Sequence, residues 1–228
     1  SWSILANVAT EEQIAKMLGI VEKHLKTNAG LKLCTLVAYE KLGVNTATAI
    51  YFPGDRENGG VFKHAAMMAT VASLKAAKTV QDEALAKRLA ELAYFMIGRT
   101  LPYTAMDDPF RLKGNPRFCT QYNNSETGEN IGPMLSGTAS WLTLAVYEYF
   151  GMDIGKDALS FAPILPPEQD ELRYSIQLAD TLLKIGVISE NSRFRADKDT
   201  SYLLDGVPVP PTVPRPRDGR EHRLTIRL

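Results

Sequence analysis

Three short stretches carry the residues that could do chemistry. In "DRENGGVFKHAAMM", residues 55–68, Glu57 precedes two adjacent glycines, and His64 lies one to two turns inside the helix that follows. Glu57 is suited to accept hydrogen bonds from sugar hydroxyls or to act as an acid or base. His64, when protonated, neutralises an anion. The same residues also fit a solvated loop carboxylate and a hydrogen-bonded core histidine. In "NIGPMLSGTASWLTLAVYEYFG", residues 130–151, a glycine-punctuated loop runs into an apolar helix with Ser136, Gly137 and Thr138 at the junction. The first turn of a helix leaves backbone N–H groups unpaired at the positive end of the peptide dipoles, which favours an anion. Gly137 lets an anion approach the backbone and Ser136 adds a hydroxyl; Ser136 is equally suited to capping the helix. The third stretch, "RFCTQYNNSETGEN", residues 117–130, combines amides and carboxylates with Tyr122. Carbohydrate sites have this composition, with an aromatic for the apolar face of a pyranose, and so do solvated loops. Glu126 and Glu129 are a carboxylate pair of the kind glycosidases use, but an irregular loop leaves their separation open. No GxSxG, HExxH or GxGxxG pattern is present, and no Lys follows Gly137 as a phosphate-cradling GxxxxGK[ST] loop would require.

The elements that must position these residues are mostly helical in the first two thirds of the chain. A helix is expected over 10–27, with Thr10 as cap, Gln13 completing a capping box, and Ile14, Met17, Leu18, Val21 and Leu25 at helical spacing. A second, rich in alanine, is expected over 60–78, a third over 81–98 ending at Gly98, and a fourth over 137–150 ending at Gly151. Long connections, 31–58 and 100–135, alternate with short ones. Such loops are usually functional, and they suit helical hairpins whose long loops build a site at one end. Beyond Gly151 the pattern changes. Residues 173–178 and 224–228 alternate like strands, Asp205-Gly206 and Asp218-Gly219 read as turns, and Pro208, Pro210, Pro211, Pro214 and Pro216 confine their segment to a sheet edge or a loop. The expected organisation is a helical part over 1–151 and a β-rich domain over 152–228.

The totals exclude several partners. The 228 residues are 45% hydrophobic and carry 26 basic and 26 acidic side chains, so nothing in the balance calls for nucleic acid or a membrane surface. The two cysteines, Cys34 and Cys119, have no CxxC spacing, which argues against a disulfide scaffold or structural zinc and for a reducing, cytoplasmic setting. The chain opens on "SWSILANVATEEQ" without an initiator Met, and a piece of a longer polypeptide is expected.

Four segments resemble, in order, the inverting disaccharide phosphorylases of glycoside hydrolase family 94. "FPGDRENGGVFKHA" is similar to that family's PPG-x-x-ENGG-x-F-x-H segment, and "LSGTASWLTLAVYEYFGM" to its TGSAAWM…EYILGI helix. "SWSILANVATEEQIAKML" and "LSFAPILPPE" resemble its QSWAVLSGIA segment and its passage into a C-terminal β-domain.

The resemblance implies a mainly α fold: part of an (α/α)6 barrel followed by a small jelly-roll-like β domain. It assigns His64, Ser136 and Gly137 to inorganic phosphate, with Ser in place of a more usual Thr, and Glu57 to the acceptor sugar; Tyr122 joins them as a candidate sugar contact. No cofactor or metal is expected, only phosphate as co-substrate and a β-linked di- or oligosaccharide. The chemistry needs one carboxylic acid for the leaving oxygen and no protein base, because phosphate is already an anionic nucleophile. The family's acid lies before the QSW segment, so it is expected upstream of residue 1, in the remainder of the same polypeptide, and these residues alone are expected to be inactive. Family resemblance also suggests a homodimer. A hydrolase or transglycosylase domain like that of cyclic β-1,2-glucan synthases, and a non-catalytic carbohydrate-binding module, are the competing readings.

Overall fold

The computed structural model of the protein describes residues 1–36, 51–102, 119–132 and 137–228. It corrects the expected fold class. Helices make up about 35% and strands 26%, with several sheets, so the chain is not a mainly α (α/α)6 barrel. The reason is physical: segments read as loops between helices fold into strands of two residues, too short to show any alternation, and all the regular structure after Phe150 is strand. The described residues fall into two compact units, Ser1–Ala76 with Leu92–Ala145, and Ala77–Glu91 with Val146–Leu228.

In the first unit, α1 (Trp2–Leu5) leads to α2 (Glu11–His24). Thr10 accepts from Gln13 N–H and the Gln13 side chain accepts from Thr10 N–H, so the expected capping box is formed. Ile14 and Leu18 are the buried members of the expected stripe. A short hairpin follows, β1 (Lys26–Thr27) and β2 (Gly30–Leu31). Along the chain next come β3 (Val61–Phe62), α3 (Lys63–Thr79), α4 (Glu83–Thr100), β4 (Tyr122–Asn123), β5 (Asn130–Ile131) and α5 (Thr138–Phe150), with β3, β4 and β5 in one antiparallel sheet; the end of α3, the start of α4 and the end of α5 belong to the second unit. Helices α3, α4 and α5 lie where the sequence places them to within about three residues, a normal boundary error. Gly98 does not end α4, which runs on to Thr100.

The second unit holds the strands from β6 (Met152–Ile154) and β7 (Ala158–Phe161) through β8 (Glu171–Leu178), β9 (Thr181–Ile188), β10 (Ser201–Leu204), β11 (Val207–Pro208) and β12 (Thr212–Pro214) to β13 (Glu221–Arg227). They form a five-stranded sheet in the order β11-β10-β13-β9-β8 and a three-stranded sheet in the order β12-β7-β6. Strand β13 runs parallel to β9, pairing Leu224 with Ile185 and Ile226 with Val187. These four side chains point to one face and join Leu159 and Phe161 of β7 and Val213 of β12 in a common core. Asp205 and Gly206 both have positive φ, 51° and 82°, as the two-residue turn between β10 and β11 requires. Strands β11 and β12, which contain Pro208 and Pro214, are edge strands.

Candidate functional site

The loop before β3 is closed by its own backbone. Gly54 N–H donates to Asn58 O (2.9 Å), Asn58 N–H to Asp55 O (2.8 Å) and Gly60 N–H to Arg56 O (2.8 Å). The Asn58 side chain is buried and donates to Tyr51 O (3.1 Å). A Cβ on Gly60 would lie 2.7 Å from both the N and the O of Arg56, which no side chain permits. The Asn-Gly-Gly run therefore serves the loop itself, and Arg56 and Glu57 remain as its exposed side chains. The Glu57 carbonyl accepts a hydrogen bond from Cys34 Sγ (3.1 Å).

The polar stretch after Cys119 is not a solvated loop. Asn123, Asn124 and Asn130 are buried. Asn123 Nδ2 donates to Asn130 Oδ1 (2.8 Å) and Thr120 Oγ1 donates to the same oxygen (3.0 Å). Asn124 Oδ1 accepts from Glu126 N–H (2.8 Å) and Thr127 N–H (2.9 Å), which builds the turn between β4 and β5. Its Nδ2 donates to Asp55 Oδ1 (2.7 Å), and Ser125 N–H donates to Gly54 O (3.0 Å). These bonds brace the Arg56–Glu57 loop against the β4–β5 hairpin. Composition fitted these amides equally to sugar contacts and to a solvated loop; the fold occupies most of their hydrogen-bonding capacity internally.

Two of the sequence-predicted residues, Tyr122 and His64, meet around Phe62. The Tyr122 ring stacks on Phe62, with centroids 5.2 Å apart and planes at 21°. The imidazole of His64 meets Phe62 edge-on at 5.7 Å and 84°. The Arg56 guanidinium lies over Tyr122 (5.9 Å to the centroid) and Tyr51 (5.4 Å), next in the chain to Glu57. Burial pushes the Tyr122 phenol up, the hydrogen bond from Arg56 opposes it, and the charges of Asp55 and Glu57 push it further up. His64 Nδ1 is buried and has no hydrogen-bond partner among the described residues. A buried polar atom left unpaired calls for an explanation, and a bound ligand is one.

Gly137 stands before the first residue of α5 with φ +74°. Its carbonyl accepts from Trp141 N–H (3.1 Å), as at a helix start. Ser136 lies outside the described residues. The next residue, Thr138, is fully buried, and its hydroxyl also has no partner among the described residues. Sequence reasoning noted Thr138 at the junction but gave it no role, and it passed over Arg56, whose contact with Tyr122 joins positions remote in sequence. Among the described residues, no group of three or more His, Cys, Asp or Glu side chains is placed to hold a metal ion, and no helix is long and apolar enough to cross a membrane.

Comparison with known proteins gives a consistent picture. A family model described as "Glycosyl hydrolase 94 superfamily, catalytic domain" matches residues 1–151. The chain is 23% identical over 241 residues to N,N'-diacetylchitobiose phosphorylase of Vibrio proteolyticus, covering 99% of this chain and 27% of that protein. It is 23% identical over 239 residues to cellobionic acid phosphorylase of Neurospora crassa, covering 100% of this chain and 28% of that protein. It is 24% identical over 238 residues to 3-O-beta-D-glucopyranosyl-beta-D-glucuronide phosphorylase of Paenibacillus borealis, covering 100% and 29%. The chain thus spans less than a third of the length of the curated relatives it matches.

Proposed function

The chain belongs to the glycosyl hydrolase 94 superfamily, and from that premise we propose that it forms part of a glycoside phosphorylase. In this reading residues 1–151 carry the site and residues 152–228 form a β-rich domain. The substrate is a β-linked di- or oligosaccharide and the co-substrate is inorganic phosphate. His64, the hydroxyl of Ser136 and the backbone at Gly137 hold the phosphate, and Thr138 adds a second hydroxyl. Glu57 contacts the acceptor sugar, with Arg56 held beside it by Tyr51 and Tyr122. A phosphate oxygen attacks the anomeric carbon from the face opposite the glycosidic bond. The bond to the leaving sugar breaks and its oxygen takes a proton from a carboxylic acid. The product is a sugar 1-phosphate of inverted configuration. The acid is supplied from outside these 228 residues, so this chain alone turns over nothing. The intact enzyme is a homodimer in the cytoplasm, a setting that suits Cys34 and Cys119 as free thiols.

The observation that carries the reading is the unpartnered Nδ1 of His64, held by Phe62 next to the braced Arg56–Glu57 loop. An imidazole left with an open, buried hydrogen-bonding position is poised for a ligand rather than for the core. The test is phosphate dependence in the intact protein. Sugar 1-phosphate should form only when phosphate is added, and His64→Ala should raise KM for phosphate by the equivalent of about 1.5–3 kcal/mol, the worth of a charge-assisted hydrogen bond. Undiminished glycoside cleavage without phosphate would overturn phosphorolysis in favour of hydrolysis or transglycosylation.

A further inference from the structure

The residue before His64 is a lysine buried almost completely, with 3% exposure. An ammonium in such a place is costly, because its charge is stripped of water. A methionine or leucine would fill the same volume without that cost. Lys63 is also anchored at both ends. Its backbone N–H donates to Gln121 O (3.0 Å), the residue before Tyr122. Its ammonium donates to the carbonyl of Arg99 at the end of α4. That carbonyl belongs to the last turn of a helix, where acceptors lack partners and the dipole favours a cation. One side chain therefore ties the first turn of α3 to the last turn of α4, and its backbone ties that turn to the strand bearing Tyr122. His64 is the next residue in the tied turn.

We propose that Lys63 is a positioning residue for the phosphate site, fixing the turn that presents His64 and lending its positive charge to the field in which the anion docks. The inference rests on the phosphate role given to His64 above. The groups that face the ammonium are the Arg99 guanidinium from α4 and the Cys119 thiol from the segment before β4. Burial brings the ammonium down to about 8, with Arg99 acting in the same direction and Cys119 against it. Burial in turn pushes the Cys119 thiol up, and the Lys63 charge opposes that shift. The sign follows directly. Lys63 is charged below about pH 8 and neutral above it. Phosphate is then held most tightly below that pH and more weakly above it, in a range where phosphate itself is already the dianion.

The experiment is calorimetric titration of the intact protein with inorganic phosphate between pH 7 and pH 9.5, for the parent, Lys63→Met, Lys63→Arg and His64→Ala. The parent should lose affinity through an inflection near 8. Lys63→Met should bind phosphate about tenfold more weakly at neutral pH, a coupling of ordinary size, with the inflection gone. Lys63→Arg keeps the charge at every pH, so it should retain the neutral-pH affinity and also lose the inflection. If Lys63→Met fails to fold, the Lys63→Arg profile alone decides. A purely structural lysine would let Lys63→Arg keep the parental inflection, and that result overturns the proposal. Should His64→Ala weaken binding while both Lys63 variants track the parent, the proposal fails and the phosphate site stands. Should the parent bind no phosphate, or His64→Ala bind it unchanged, the reading of the site fails instead, and this inference falls with it.

Discussion

The guanidinium of Arg56 lies 5.9 Å from the ring centroid of Tyr122, and Phe62 stacks on that same ring at 5.2 Å. An exposed cation in a loop is thus held by an aromatic pair rooted in the sheet. Arg56 has φ +41°, a backbone conformation that few non-glycine residues adopt, so the contact has local strain to offset. Tyr122→Phe keeps the stack and removes the hydroxyl to which Arg56 donates. It should leave Tm within about 2 °C of the parent, as expected of a change well below 1 kcal/mol in a chain of this length. It should raise KM for the acceptor sugar in the synthetic direction severalfold, with KM for phosphate unchanged. Steady-state kinetics with each substrate varied in turn checks this, and an equal rise in both constants would refute the division of labour.

Gly151 closes α5 with φ +63°, and a Cβ there would lie 2.0 Å from the carbonyl carbon and oxygen of Ala162. No adjustment of a side chain relieves a clash with backbone. Gly151→Ala should therefore destabilise by more than about 4 kcal/mol, the range reserved for such defects. Urea midpoints, or failure to express in soluble form, check it.

Arg195 spans the gap between two helix ends. Its Nη1 donates to the carbonyls of Ala77 (2.6 Å) and Val80 (2.9 Å), and its Nη2 bonds Glu83 in the first turn of α4. Arg195→Met retains the stem and strips both carbonyls of their donor. A loss of about 2–3 kcal/mol is expected, the cost of removing a charged donor from part-buried acceptors. Chemical denaturation of both proteins at neutral pH supplies the comparison.

His222 sits between two carboxylates, with Nδ1 2.7 Å from Asp205 and Nε2 3.0 Å from Asp218. The hydrogen bonds to Asp205 and then Asp218 hold its imidazole above the ordinary value, and the same bonds hold both carboxyls below theirs. A raised imidazole stabilises fully below its unfolded value and loses that contribution as pH rises through its folded one. The depressed carboxyls contribute above their unfolded values and lose it as pH falls. The clasp is therefore strongest in mildly acidic solution. Between pH 6 and pH 9 the parent should lose a few degrees of Tm that His222→Gln does not lose. Parallel melting curves for the two proteins would refute the clasp.

The parts of this fold that a reader of the sequence can see are those set by local chemistry. Thr10 and Gln13 announce α2, Asp205-Gly206 announces a two-residue hairpin, and the prolines after Val207 announce edges. Their causes act within a few residues. The β3–β4–β5 sheet stayed hidden, because strands of two residues carry no period and pair across a long stretch of chain. Asn123, Asn124 and Asn130 read as solvent-facing by type, yet one another's amides and nearby backbone take up most of their hydrogen bonds in the interior, with Asn123 Oδ1 left unpartnered among the described residues. Gly98 misled because glycine costs a helix only about 1 kcal/mol, which tertiary packing easily offsets. The mainly α class failed because β6–β13 of the second unit carry most of the strand, with the short concealed pairings of the first unit adding to it. His64, Glu57 and Tyr122 were legible as chemistry by type and spacing, but the meeting of His64 and Tyr122 at Phe62, and of Arg56 with Tyr122, is tertiary.

The prolines of β11 and β12 bear on how copies of this protein can associate. A backbone without an N–H cannot template an incoming strand, so each sheet of the second unit has one guarded rim and one open one, β8 in the larger and β6 in the smaller. Two molecules joining rim to rim through β8 would use up the open rim of the larger sheet on both, leaving that sheet only its β11 rims outward. Assembly along the strand-pairing direction of that sheet is then self-terminating at two chains.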